Sequence, residues 1–163
     1  MEGAHMKLSR LVSSTSRRTF VLYPALVAVE QRVSGRRLHP AWSPLLAWGY
    51  LQYRWSGSHR TRLGGGGPGV AVPPERIVGS GIYRYTRNPM YLGHLLFLTG
   101  LTGLTRSPLA VALLAVNVPW FDRHARQDEE RLHRLFGAEY DSYRARVPRW
   151  LPGAPVSAPS SGA

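Results

Sequence analysis

The sequence predicts an all-α integral-membrane helical bundle, with a transmembrane helical hairpin and a long cytoplasmic helix extension. Three observations carry that prediction. Of the 34 residues between Arg87 and Asp122, only Arg106 is charged. Helix-start signals recur at Asn88-Pro89 and Ser107-Pro108, where a capping side chain precedes a proline whose missing N–H costs nothing in the first turn. Six of the nine acidic residues then crowd between Asp122 and Asp141.

The chain has 163 residues, the length of one domain, and no cysteine, which excludes disulfide scaffolds, thiolate metal sites and cysteine nucleophiles together. A net charge of +12 would suit a nucleic-acid binder if it were spread along the chain. It is concentrated outside a long apolar middle, which a mean hydropathy of −0.20 conceals by averaging.

Residues 1–18 are polar and basic, and Met1–Met6 resembles a cloning remnant. Residues 19–152 read as a single membrane domain, and 153–163 as a disordered Pro/Ser/Ala/Gly tail. Thr19–Val29 and the aromatic-rich run Ala41–Tyr53 read as short helices, interfacial or marginally spanning. Residues 54–82 read as irregular because of their arginines, four consecutive glycines and three prolines. Gly64–Gly69 satisfies G-x-G-x-x-G, but no strand is expected before it, so the match is taken as a connector and not as a phosphate cradle.

The hairpin helices are expected over Pro89–Leu104 and from Pro108 through Pro119 into the charged extension, which Gly137 ends. A further short helix is expected over Ala138–Arg146. At 1.5 Å per residue, a first arm of this length reaches roughly 24 Å, less than the ~30 Å of a bilayer's hydrocarbon. Arg84, Arg87, Arg123 and Arg126 share one side of the hairpin, which the positive-inside tendency makes cytoplasmic; the expected location is a bacterial cell membrane. That topology brings Arg87, Asn88 and Tyr91 to face Asp128 and Glu129, so a helix N-terminus suited to an anion lies beside carboxylates suited to a cation. A zwitterionic ligand fits such a pair. The spacing of Asp122, Arg126 and Glu130 is also that of an ordinary solvated helix, and the histidines form no metal-ligand pattern.

Pro74–Val78, Gly81-Ile82-Tyr83-Arg84, Arg87–Gly93, Asp128-Glu129, Leu132, Phe136-Gly137, Tyr140, Tyr143 and Pro152 together resemble the integral-membrane methyltransferases that include the isoprenylcysteine carboxyl and phospholipid methyltransferases. The resemblance covers roughly residues 68–152. It implies S-adenosylmethionine as methyl donor, bound on the cytoplasmic side by Glu75, Arg76, Ile77, Val78, Tyr83, Asn88, Pro89, Met90 and Tyr91, with Asp128 and Glu129 from the last helix. It also implies a lipophilic small molecule or lipid as acceptor, facing His124. An amine acceptor must lose a proton, a task for Glu129 or His124. Asn88 stands where the prenylcysteine enzymes carry His, and His124 where they carry Arg. The expected partners are thus this acceptor and the membrane, with no nucleic acid and no metal. Two rival readings are a non-catalytic membrane scaffold, which would bind no cofactor, and a basic nucleic-acid-binding protein, which would partition into water and bind DNA in a salt-dependent way.

Overall fold

A computed structural model describes residues 14–65 and 74–150 of the chain. Helix makes up 81% of these residues and no strand occurs among them. The helices are α1 (Thr15–Arg17), α2 (Tyr23–Ser34), α3 (Ser43–Gly64), α4 (Pro89–Thr105), α5 (Pro108–Phe136) and α6 (Ala138–Arg146). A π-helical turn, Arg18–Leu22, joins α1 to α2, and 3-10 turns lie at Pro40–Trp42 and Gly81–Arg84. The expectations for residues 1–13, for most of the glycine block and for the tail fall outside the described residues.

Helices α4 and α5 both begin at the expected prolines, and the Ser107 signal acts as a cap, whereas the Asn88 amide donates to Glu129 and to the Arg149 carbonyl. Ser107 Oγ accepts the Ala110 N–H at 3.0 Å and so caps α5. The backbone turns between α4 and α5 within Arg106 and Ser107, with Arg106 at φ 47°. Gly137 adopts φ 50°, ψ −122°, which a side chain would resist, and its N–H closes α5 on the His133 carbonyl at 2.8 Å. In α6, Glu139 and Asp141 occupy the first turn and Arg144 and Arg146 the last, matching the helix dipole at both ends.

Two expectations fail. Residues 54–64 are helical, not irregular, because the true punctuation begins only at Gly64; until there nothing breaks the ladder, and Gln52 and Ser56 on one face are buried. The π-turn before α2 was not foreseen. It lies just upstream of Pro24, whose ring would collide with the carbonyl four residues back, and a widened turn relieves that clash.

The chain divides into two compact units, Met1–Leu51 with Gly93–Pro119 and Gln52–Leu92 with Trp120–Ala163. In the first, Val27, Leu101 and Ala110 form a core flanked by Leu46, Leu109 and Leu113. Backbones approach closely in this unit. A Cβ on Gly49 would lie 2.3 Å from the Phe97 nitrogen, and one on Gly100 would lie 2.5 Å from the Leu46 nitrogen. Phe20 packs against Tyr50, His94 and Phe97. In the second unit, Tyr140, Tyr143 and Val147 form the core, with Ile77, Leu132 and Phe136 against it.

No helix among the described residues is long and apolar enough to cross a membrane. The reason is visible in each candidate: α4 has only 17 residues, while α3 carries Arg54, Arg60 and Arg62 and α5 turns charged at Asp122.

Candidate functional site

The second unit contains a cavity of about 100 Å³. Three stretches build it. The irregular segment after α3 supplies Pro74, Arg76, Ile77 and Val78; the turn into α4 supplies Tyr83, Arg87, Asn88, Pro89, Met90 and Tyr91; and α5 supplies Asp128, Arg131 and Leu132. Arg60 and Tyr143 complete the lining.

The expected meeting of the α4 start with the acidic stretch of α5 is present as direct bonds. The Tyr91 hydroxyl donates to Asp128 Oδ2 at 2.6 Å. The Asn88 side-chain amide donates to Glu129 Oε1 at 3.1 Å and to the Arg149 carbonyl at 3.3 Å. Burial raises the Asp128 carboxyl above its ordinary 3.8, while the Tyr91 hydrogen bond and neighbouring guanidinium groups, Arg60 first, pull it down. Tyr143 donates to the Tyr83 carbonyl at 2.7 Å, and the Tyr83 hydroxyl donates to the Ser56 carbonyl at 3.4 Å, so the wall is fixed to α3 and α6.

Three of the expected site residues do not line the cavity. Glu129 is buried with both oxygens engaged: Arg149 Nε and Nη2 donate to them at 2.8 and 2.9 Å, and Arg87 lies 3.1 Å away. Glu129 is thus the centre of a network that joins Arg87, Asn88 and Arg149. His124 stacks on Trp120 with ring centroids 3.7 Å apart, and its Nδ1 pairs with the Trp120 carbonyl. Glu75 instead finishes α3, its N–H meeting the Gly64 carbonyl at 2.7 Å.

Arg60, Arg131 and Arg149 were missed in the sequence. For Arg60 a signal existed: Gln52, Ser56 and Arg60 recur at i, i+4, i+8, one polar stripe on a helix. The match was hidden by reading residues 54–64 as a connector. No cluster of three or more metal-ligating side chains occurs among the described residues.

The cavity sets guanidinium groups and a carboxylate around an apolar wall. Residues 69–139 match the phospholipid methyltransferase family model. Over 77 residues it is 35% identical to protein-S-isoprenylcysteine O-methyltransferase of Mus musculus, covering 47% of this chain and 27% of that protein. A probable protein-S-isoprenylcysteine O-methyltransferase of Oryza sativa subsp. indica is 32% identical over 79 residues, covering 48% and 41%. The protein-S-isoprenylcysteine O-methyltransferase of Schizosaccharomyces pombe is 32% identical over 81 residues, covering 48% and 34%. The chain thus spans well under half the length of these curated relatives. No solved structure matches it.

Proposed function

We propose that this protein transfers a methyl group from S-adenosylmethionine to a lipophilic acceptor, a lipid, a prenylated compound or another hydrophobic small molecule, at the cytoplasmic face of a bacterial membrane. The observation that carries the reading is the cavity itself, built largely from the segment that matches the methyltransferase family. Its residues suit the donor. Asp128, half-buried and anchored by Tyr91, is an acceptor for an ammonium or a ribose hydroxyl, and Arg60, Arg76 and Arg131 are partners for a carboxylate. Ile77, Val78, Pro89, Met90 and Leu132 supply an apolar surface for a nucleobase.

S-adenosylmethionine, when bound, supplies an electrophilic methyl on a sulfonium. The chain's own contribution is alignment and exclusion of water, which suffice for a displacement in which charge disperses. A carboxylate acceptor needs no base. For an amine, His124 is the remaining candidate named from the sequence, since Glu129 is committed to Arg87 and Arg149.

Membrane residence is supported by the surface and not by any single helix. Val21, Leu26, Val29 and Val33, then Trp48, Leu51 and Trp55, then Val111, Val116 and Val118 are all exposed, Val33 by 87%. A protein surrounded by water rarely presents so much apolar surface, whereas lipid accepts it. Close glycine-mediated approach at Gly49 and Gly100 is the packing that helices use where lipid removes the hydrophobic drive to associate. Short helices are accommodated by local thinning of the bilayer.

The test is calorimetric titration of the full chain in detergent with S-adenosylhomocysteine, followed by incubation with labelled methyl donor and host lipid extract. Saturable binding near one per chain and label in a lipid fraction are expected. Absence of binding by a folded protein would leave the scaffold reading instead.

A further inference from the structure

The segment Val147–Trp150 lies beyond the residues that match the family model, yet it touches consecutive residues at the entry to α4. The Arg87 N–H donates to the Pro148 carbonyl at 2.9 Å. The Thr86 hydroxyl donates to the Arg149 carbonyl at 2.9 Å, and the Asn88 amide reaches the same oxygen at 3.3 Å. From its other end, the Arg149 guanidinium grips both oxygens of Glu129, a bidentate pair of the strongest kind available to side chains. Trp150 Nε1 donates to Asp122 Oδ1 at 3.1 Å, one further tie to α5. Arg149 itself is absent from the cavity lining, whereas Arg87 and Asn88 are both part of it.

We propose that Arg149 is a positioning residue: main chain and guanidinium together clasp Thr86–Asn88 to Glu129 and thereby hold the α4 entry in the shape that binds the ligand. This rests on the reading of the cavity as the methyl-donor site. The charges favour a positioning role over a purely structural one. Glu129 keeps Arg87 and Asn88 when Arg149 is lost, so no buried carboxylate is stranded and the chain is expected to remain folded. What is lost is the constraint on where Glu129 directs its remaining partners.

The experiment uses the full chain in detergent with Arg149→Met, which keeps bulk without charge, and Arg149→Lys, which keeps charge without the fork. Amide hydrogen exchange of the ligand-free protein is the first readout. In Arg149→Met the Arg87 amide and its neighbours through Leu92 should exchange at least tenfold faster, while residues 94–104 stay as in the wild type. Unchanged exchange at Arg87, or an equal rise along the whole chain, overturns the proposal. Affinity for S-adenosylhomocysteine is the second readout: at least tenfold weaker for Arg149→Met at unchanged stoichiometry, with partial recovery for Arg149→Lys. Wild-type affinity in Arg149→Met overturns the role in binding. If the wild type itself fails to bind, the donor-site reading falls, and the exchange data still decide whether Arg149 orders the α4 entry.

Discussion

Each of the two compact units is built by a different chemistry. In the unit of Met1–Leu51 and Gly93–Pro119, an apolar core and backbones brought close at glycine carry the packing, with a few polar ties from Glu30, Gln31 and His39 to the hairpin turn; between residues 93 and 119 the one charged side chain is Arg106. In the unit of Gln52–Leu92 and Trp120–Ala163, a buried carboxylate, two arginines and an asparagine form a connected network beside a lined cavity. Close packing at glycine depends on shape and works in lipid. A network of the second kind depends on which member is removed and on what partners the others keep. The cavity lies with the network, in the second unit.

The largest effect should therefore come from the centre of the network. Glu129→Gln leaves Arg87 without its carboxylate and Arg149 with only the Asp122 carboxylate at 3.9 Å, and breaking a buried pair this way costs about 3–5 kcal/mol. Thermal unfolding in detergent should show a large drop in midpoint or no folded protein. A midpoint near the wild type would mean that the polar unit does not depend on its network.

Asp128→Asn separates stability from function in the same unit. Loss of a charged acceptor should weaken S-adenosylhomocysteine binding by about 1.5–3 kcal/mol, read by calorimetry. Stability should move the other way. Burial lifts the Asp128 carboxyl above 3.8, so ionising it in the folded chain is harder than in the unfolded one. The folded state accordingly loses stability as pH rises from 3.8 through the raised value, and the loss persists at neutral pH. The Asn variant should be the more stable protein at pH 7, with the gap closing below 3.8. A variant less stable at pH 7 would reverse the sign of the argument.

For the apolar unit the corresponding break is Gly49→Ala. One added carbon 2.3 Å from the Phe97 nitrogen meets backbone, which cannot swing aside, and overpacking of this kind costs about 1–3 kcal/mol. Hydrogen exchange should rise within residues 93–105 first. Wild-type stability would show that close approach is not what binds this unit.

Much of this contrast could be read before any coordinates. The starts of α4 and α5, the glycine stop at Gly137 and the short α6 follow from local rules that involve a handful of neighbouring residues. The approach of Asn88 and Tyr91 to Asp128 and Glu129 followed from one topological step, a hairpin. What escaped depends on longer reach. Arg149 is one arginine among many, without spacing to mark it, and meets Glu129 only because α6 reverses the chain. The extension of α3 to Gly64 was hidden because arginine and glycine in residues 54–64 resembled the glycine block that follows. The places of Glu75, expected at the cofactor, and His124, expected to face the acceptor, had no local test at all, since a helix end and a stacked ring are tertiary outcomes.

The smallest effect discriminates most finely between kinds of charge within the polar unit. Arg126 pairs with Asp122 at 2.8 Å, four residues apart on α5, as the sequence spacing foretold, but its side chain is 61% exposed. Water competes for both partners, and exposed pairs at this spacing contribute about 0.3–0.5 kcal/mol. Asp122 also retains Trp150, so Arg126→Ala strands nothing. Its unfolding midpoint and its affinity for S-adenosylhomocysteine should both match the wild type within error. Were Arg126→Ala to lose affinity as Arg149→Met is expected to, position along α5 and not burial would govern the site, and the clasp would have no special standing among the arginines around it.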